Sequence, residues 1–387
     1  MADIDKALNT TTTVEVPQEE EVIAVQEQVK ENQENKDNVA VTMDEEGGAE
    51  IEFNPSTVNP EGGEDHFANL AEFLEDDVLD PLGSELMDKY KEYKQSRQEW
   101  EESYREGLNL LGFKYVTRTE PFRGAASVTH PVLAEAVTQF QAQAYKELLP
   151  ADGPVRTQIM GDLSVAKEEQ GKRVKDFMNY QIMDQMKEYE PEFDQMLFYL
   201  PLSGSTFKKV YYDDLLGRAV SKFIPAEDLV VPYSATSLED AEAVIHVIRM
   251  SQNDLRKQQI NGFYKDIDLG EPPIQEDHLK QKELELEGIQ QSGQEDMYTI
   301  LEMHVNVDLA GHEDVDPEDG EPTGIQLPYI VTINEATNDI LSIRRNYGEA
   351  DPLKKKKDYF VHFKFLPGLG FYGLGLIHMI GGLSRTA

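Results

Sequence analysis

Residues 198–212 read Phe198-Tyr-Leu-Pro-Leu-Ser-Gly-Ser-Thr-Phe-Lys-Lys-Val-Tyr-Tyr212. At Ser203-Gly204 the spacing of apolar residues changes from the 3.6 of a helix towards the 2 of a strand. This change sets the fold class as α+β, with a helical N-terminal half followed by a β-rich region.

On the helical side, Leu86, Tyr90, Tyr93, Arg97, Trp100, Tyr104, Leu108 and Leu111 recur at steps of three and four. They predict one amphipathic helix with Ser84 as N-cap and Gly112 as stop. Its other face carries Lys89, Lys94, Glu99 and Glu102, and Trp100 is expected to be buried at the centre of the apolar stripe. A second helix is expected from Pro131 to Leu149, with Val132, Val137, Phe140, Ala144 and Leu148 inward and Pro150 closing it. Two more span roughly 163–188 and 192–200, split by Pro191.

On the strand side, 205–212 and 218–224 form a hairpin around Asp213-Asp214 and Gly217. Leu229-Val230-Val231 is a short apolar run, and Ala243 to Met250 reads as a strand covered on both faces. Ser251 caps a short helix that stops at Asn261-Gly262. Residues 264–295 read as a polar linker with one exposed helix, whose run from Lys280 to Glu287 forms a solvated face. Leu301, Met303, Val305 and Val307 alternate with Glu302, His304 and Asn306, predicting a half-buried strand with the polar set in solvent. Further strands are expected over 329–333, 340–343 and 359–366. The resulting divisions are 1–66, 67–204, 205–295, 296–366 and 367–387.

The 387 residues include 74 acidic and 36 basic ones, a net charge of −38. Residues 1–80 alone hold 23 acidic and 3 basic residues, or −20. Residues 1–66 are therefore expected to be a disordered acidic leader, too poor in apolar groups to offset chain entropy, followed by a short amphipathic turn over 67–79. The overall charge argues against tight binding to nucleic acid or anionic lipid. The chain has no cysteine, so disulfides, thiolate metal sites and thiol nucleophiles are excluded. No run of about 18 apolar residues predicts a membrane span, and the N-terminus lacks the features of a signal peptide.

No motif carries catalysis. Gly368-Leu-Gly-Phe-Tyr-Gly373 matches a dinucleotide-binding pattern, but no acidic residue follows it within a βαβ unit. It reads as a turn between strand and helix. Asp314-Val-Asp-Pro-Glu-Asp-Gly320 misplaces the glycine of a calcium loop, and its twelfth residue is Ile325. The eight histidines lack zinc-enzyme spacing; His246 reads as a core histidine. Lys354 to Lys357 is the one dense basic run, read as a surface turn. No cofactor, no metal and no catalytic residue is expected, so the chain is read as a non-enzyme.

Four stretches occur in a familiar order. They are Phe122-Arg-Gly-Ala-Ala-Ser-Val-Thr-His-Pro131 with the helix after it, Pro225-Ala-Glu-Asp-Leu-Val-Val-Pro232 followed by Glu242 to Arg249, Ile343-Arg-Arg-Asn-Tyr347 leading to Tyr359-Phe-Val-His-Phe363, and Pro367-Gly-Leu-Gly-Phe-Tyr-Gly-Leu-Gly375. In this order, from about residue 84 onward, the chain resembles the portal proteins, or head–tail connectors, of short-tailed bacteriophages.

The resemblance implies a structural subunit of a homo-oligomeric ring of about twelve copies at one capsid vertex. Viral double-stranded DNA would pass through the ring during packaging and ejection, and the tail would attach to it. Implied partners are the packaging terminase, major capsid and scaffolding proteins and tail adaptor proteins. The implied location is the virion, with assembly in the host cytoplasm and no membrane. Residues 67–204 would supply the wing, the stem and clip would come from within 205–366 with 296–366 clip-like, and 367–387 would begin a stem helix. Residue 387 falls inside that expected helix, so the sequence is read as the N-terminal part of a longer chain. Phe371, Tyr372, Leu374 and Met379 are the candidate subunit-interface or stem-entry residues, with intrachain core as their other reading. The alternative function is an enzyme whose nucleotide site begins at the Gly368–Gly373 turn and is completed further along the chain.

Overall fold

The structure is a computed structural model. It describes residues 39–43, 49–53, 65–113, 122, 130–161, 164–213, 216–272, 278–289, 297–315, 321–368 and 370–386. The chain divides into two units, 1–68 and 69–387. The first unit contains a pair of antiparallel strands, β1 (Val39–Met43) and β2 (Ala49–Phe53), in register from Val39 opposite Phe53 to Met43 opposite Ala49. These strands were not expected from the sequence. Most of the segment read as disordered lies outside the described residues, as do 123–129 of the first motif.

The second unit mixes helices with two antiparallel sheets, in agreement with an α+β reading. Its helices are α1 (Asp76–Ser96), α2 (Gln98–Leu108), α3 (Val132–Leu148), α4 (Val165–Tyr180) and α5 (Tyr189–Ser203), followed later by α6 (Gln252–Ile260), α7 (His278–Glu287) and α8 (Leu376–Thr386). The larger sheet has the order β5 (Leu229–Val230), β6 (Ala243–Ser251), β7 (Met297–Val307), β8 (Leu327–Asn334), β9 (Ile340–Arg345). The smaller has β10 (Phe360–Lys364) beside β3 (Ser205–Asp213) and β4 (Arg218–Pro225).

The period change at Gly204 marks a real junction. Gly204 ends α5 in the left-handed region at φ 88°, and β3 starts at the next residue. The hairpin of β3 and β4 and the Ser251 cap of α6 also match the sequence. In the larger sheet Ile245, Met303, Val331 and Ile343 stand opposite one another in register. They form one core with Leu86, Met87 and Tyr90 of α1 and Leu70 from the turn before it. Asn69 fixes that turn to the sheet, donating from Nδ2 to the Leu341 carbonyl while its Oδ1 accepts from the Ile343 and Ala71 amides.

Several helix boundaries differ from expectation. The first helix begins at Asp76, so Ser84 lies inside it and Pro81 costs it one hydrogen bond. Pro191 sits in the first turn of α5, where a missing amide is tolerated, rather than separating two helices. Leu148 is exposed and Leu149 is buried instead. The helix of the expected linker is not simply exposed: Leu279 and Glu283 are buried, and Leu279 joins Tyr104, Leu108, Leu133, Val137 and Ile377 in a second core. That core and its neighbour around Phe207 and Phe371 unite residues from both sides of the boundaries expected at 204 and 366.

The long helix is also broken, at Arg97. Its side chain, 6% exposed, does more than continue the amphipathic stripe. It donates from Nη1 to the carbonyls of Ala226 (3.1 Å) and Leu229 (2.8 Å) and to Tyr372 Oη (3.1 Å), and from Nη2 to the Glu227 carbonyl. The Glu101 carboxylate lies 2.8 Å from Nε. Trp100 is half-buried beside it, stacked on Tyr372 with ring centroids 4.6 Å apart. Arg97→Ala leaves several buried carbonyls without a donor and is expected to cost about 3–5 kcal/mol in urea unfolding. Arg97→Lys should recover only a minor part, because an ammonium cannot reproduce the planar fork. A loss below about 0.5 kcal/mol for Arg97→Ala would show that the node contributes little.

Candidate functional site

Lys208 and Lys209 are adjacent on β3, so their side chains leave opposite faces of the strand. Lys208 is buried, with Nζ 4.0 Å from the ring centre of Tyr189 and 5.2 Å from that of Phe193. Burial pushes its pKa down to about 8 despite Glu192 and Glu188 nearby. Lys209 reaches the larger sheet and meets both oxygens of Glu302 at 2.6 Å.

Glu302 is also 2.8 Å from His304 Nε2. The register places His246 directly opposite Glu302 on β6. Phe360 of β10 completes the cover, with its ring centroid 4.9 Å from His304 and 6.0 Å from His246. The alternation of β7 predicts a polar face in solvent; Asn306 is exposed there, but Lys209 and Phe360 cover Glu302 and His304. A strand's own alternation identifies its polar face but cannot reveal a lysine brought to that face by another sheet.

Burial alone would raise the Glu302 pKa, but Lys209 and the His304 hydrogen bond outweigh it and hold the carboxyl well below its usual range. Burial lowers His304 in spite of Glu302, and pushes His246 down to about 3. The site therefore holds one ion pair and two neutral imidazoles. His304 also lines a cavity of about 360 Å³ with Asn306, Asn346, Lys356 and Tyr359. No serine or threonine is among the lining residues, so the Glu302–His304 pair has no aliphatic hydroxyl there to activate.

The glycine-rich segment forms the turn expected between β10 and α8. Its space is filled by the chain's own backbone. A Cβ on Gly204 would stand 2.5 Å from the Gly373 carbonyl oxygen, and one on Gly375 would stand 2.7 Å from the Gly204 nitrogen. The amides are used internally: Gly373 donates to Ser205 Oγ at 2.7 Å, Leu374 to the Leu366 carbonyl at 2.8 Å, and Gly375 to His378 Nδ1 at 3.1 Å. These contacts explain why small residues stand there without invoking a phosphate.

The four residues singled out from the sequence separate into two pairs. Phe371 is buried and stacks on Phe207 (5.9 Å), while Tyr372 packs on Trp100 and Arg97. Both belong to the intrachain core, not to a free surface. Leu374 and Met379 remain exposed. Among the described residues, no group of three potential metal ligands is present, and no helix is long and apolar enough to cross a membrane. Asp314 of the acidic loop bonds Lys354 and Thr323, while residues 316–320 lie outside the described set.

Two of the four motifs meet at Arg97, and a third adjoins them through Phe371. Tyr372 of the glycine-rich motif donates to the Leu229 carbonyl of the Pro225–Pro232 motif. Phe371 lies 4.7 Å from His362 of the Tyr359–Phe363 motif, whose Phe360 faces His246. No model of a known protein family matches the chain, and no curated protein matches it.

Lys209→Met would strand a buried carboxylate and should lower stability by about 3–5 kcal/mol. Lys209→Met combined with Glu302→Leu should cost clearly less than the single change, as chemical denaturation of the two variants would reveal.

Acid should also act through the histidines. Burial pushes His362 down to about 4 and His246 to about 3, whereas unfolded histidine titrates near 6.5. Between these values the unfolded chain binds more protons, so stability falls as pH is lowered from about 6.5. The slope is about 1.4 kcal/mol per pH unit for each such histidine. Glu302, with its depressed pKa, adds to the loss only below about pH 4.3. His246→Leu should remove one histidine's share of the slope between pH 6 and 4.5, measured by urea midpoints; an unchanged slope would mean that His246 is not held neutral.

Proposed function

We propose that the chain is a subunit of a portal ring, a structural conduit through which viral DNA is packaged and ejected. The observation that carries this reading is that two of the ordered motifs meet at Arg97 and a third adjoins them. Arg97 joins Leu229 and Tyr372, more than a hundred residues apart, and Phe371 extends the cluster to His362. A set of motifs that builds one structural unit is better grounds for a family resemblance than four unrelated matches.

The charge is compatible with a sliding substrate. A chain of −38 offers few cations for counterion release, so it repels a duplex rather than gripping it. The glycine crossing ties the start of α8 to the end of α5. The ring's terminase, capsid, scaffolding and tail partners follow from the same reading.

Negative-stain images of the full chain should contain rings with a central opening wider than a DNA duplex, roughly 20 Å. DNA retention by the rings should be weak at physiological salt. A full chain that stays monomeric at high concentration, or that hydrolyses ATP on its own, would overturn the assignment.

A further inference from the structure

The cavity beside His304 lies where the end of β7, the start of β8, the turn before β6 and the segment leading into β10 meet. Its volume of about 360 Å³ falls within the range of small-molecule sites. The most buried polar residue of its lining is Asn346, only 2% exposed. The backbone of Asn346 is fixed on both sides. Its amide donates to the Pro328 carbonyl and its carbonyl accepts from the Lys357 amide, each at 2.9 Å. The side chain has no such anchor: Oδ1 is buried without a hydrogen-bond partner. Burying an unpaired amide is costly, and buried polar groups in folded proteins nearly always meet protein or a bound molecule.

The other polar groups of the lining define what would complete it. His304 Nε2 stands 2.8 Å from Glu302, whose carboxylate Lys209 keeps ionised. Nε2 therefore carries the imidazole proton, and Nδ1 is left with a lone pair. Lys356 Nζ donates to the Leu238 and Glu239 carbonyls at 3.0 and 2.9 Å, which leaves a third N–H. The lining thus offers an acceptor on His304, a donor on Lys356 and an amide on Asn346 that can do either. Val244, Val305 and Pro328 supply apolar wall.

Charge narrows the choice of ligand. A cation would meet the Lys356 ammonium, whose charge already acts on His304. An anion would meet the carboxylates of Glu239, Asp240, Glu242 and Asp358, which line the same space. A neutral molecule avoids both penalties. A hydroxyl both donates to an imidazole lone pair and accepts from an ammonium or amide N–H. Several hydroxyls on one small carbon frame answer all three polar groups without introducing a charge.

We propose that this cavity binds a neutral polyhydroxylated molecule of monosaccharide size, whose hydroxyls pair with Asn346, His304 Nδ1 and Lys356 Nζ. The C–H face of such a molecule would lie on the wall of Val244, Val305 and Pro328. The proposal goes beyond the ring reading and does not depend on it, since all of these residues belong to one chain.

Saturation-transfer NMR of the full chain with D-glucose, D-galactose and D-ribose tests it. At least one of the three should bind saturably. Asn346→Leu should weaken that binding about tenfold, and Lys356→Met about threefold or more, through the hydrogen bonds each removes. Lys356 is only partly buried, so its variant decides the matter if Asn346→Leu does not fold. Failure of all three sugars to bind would overturn the proposal. So would sugar binding that the folded variants leave unchanged. Tighter binding of butylammonium, acetate or N-methylacetamide, lost in the same variants, would also overturn it and assign the cavity to a cation, an anion or an amide.

Discussion

The buried guanidinium of Arg97 organises the region where the helical and β-rich halves meet. It sits at the break between α1 and α2 and satisfies carbonyls of the 226–229 turn as well as the Tyr372 hydroxyl. Polar groups of two distant segments are thereby satisfied by one side chain. The broken helix lets α1 cover the larger sheet while α2 joins the core formed with α3, α7 and α8. Tyr372 then fixes the glycine-rich turn, and the close backbone crossing at Gly204 sets where α8 begins, with its Ile377 in that core.

The two sheets are joined by a second constraint of the same kind. Alternation along β3 sends Lys208 into an aromatic cage on one side and Lys209 to Glu302 on the other. The buried charge of Glu302 is tolerable because Lys209 and His304 complete its surroundings, and the neighbouring histidines remain neutral because burial opposes a second positive charge. The Lys209–Glu302 pair joins the β10–β3–β4 sheet to the larger one.

Against this well-tied body, α4 is the exception. Helices α1, α2, α3 and α5 bury residues in the cores beside them, whereas α4 buries none.

The sequence by itself determined the α+β class, the junction at Ser203-Gly204, the β3–β4 hairpin, the Ser251 cap and the alternating core face of β7. Each depends on local periodicity, a cap or a turn residue, which neighbours in the chain specify. Tertiary structure decided that Arg97 interrupts a helix, that Glu302 and His304 are covered, that Phe371 belongs to the core and that α7 packs rather than floats. All four depend on partners far away in the chain: residues 226–229 and 372 for Arg97, Lys209 for Glu302, Phe207 for Phe371, and Tyr104 with Ile377 for Leu279. Periodicity records which face of an element is polar. Whether that face meets water or a buried opposite charge is set only when distant segments are brought together.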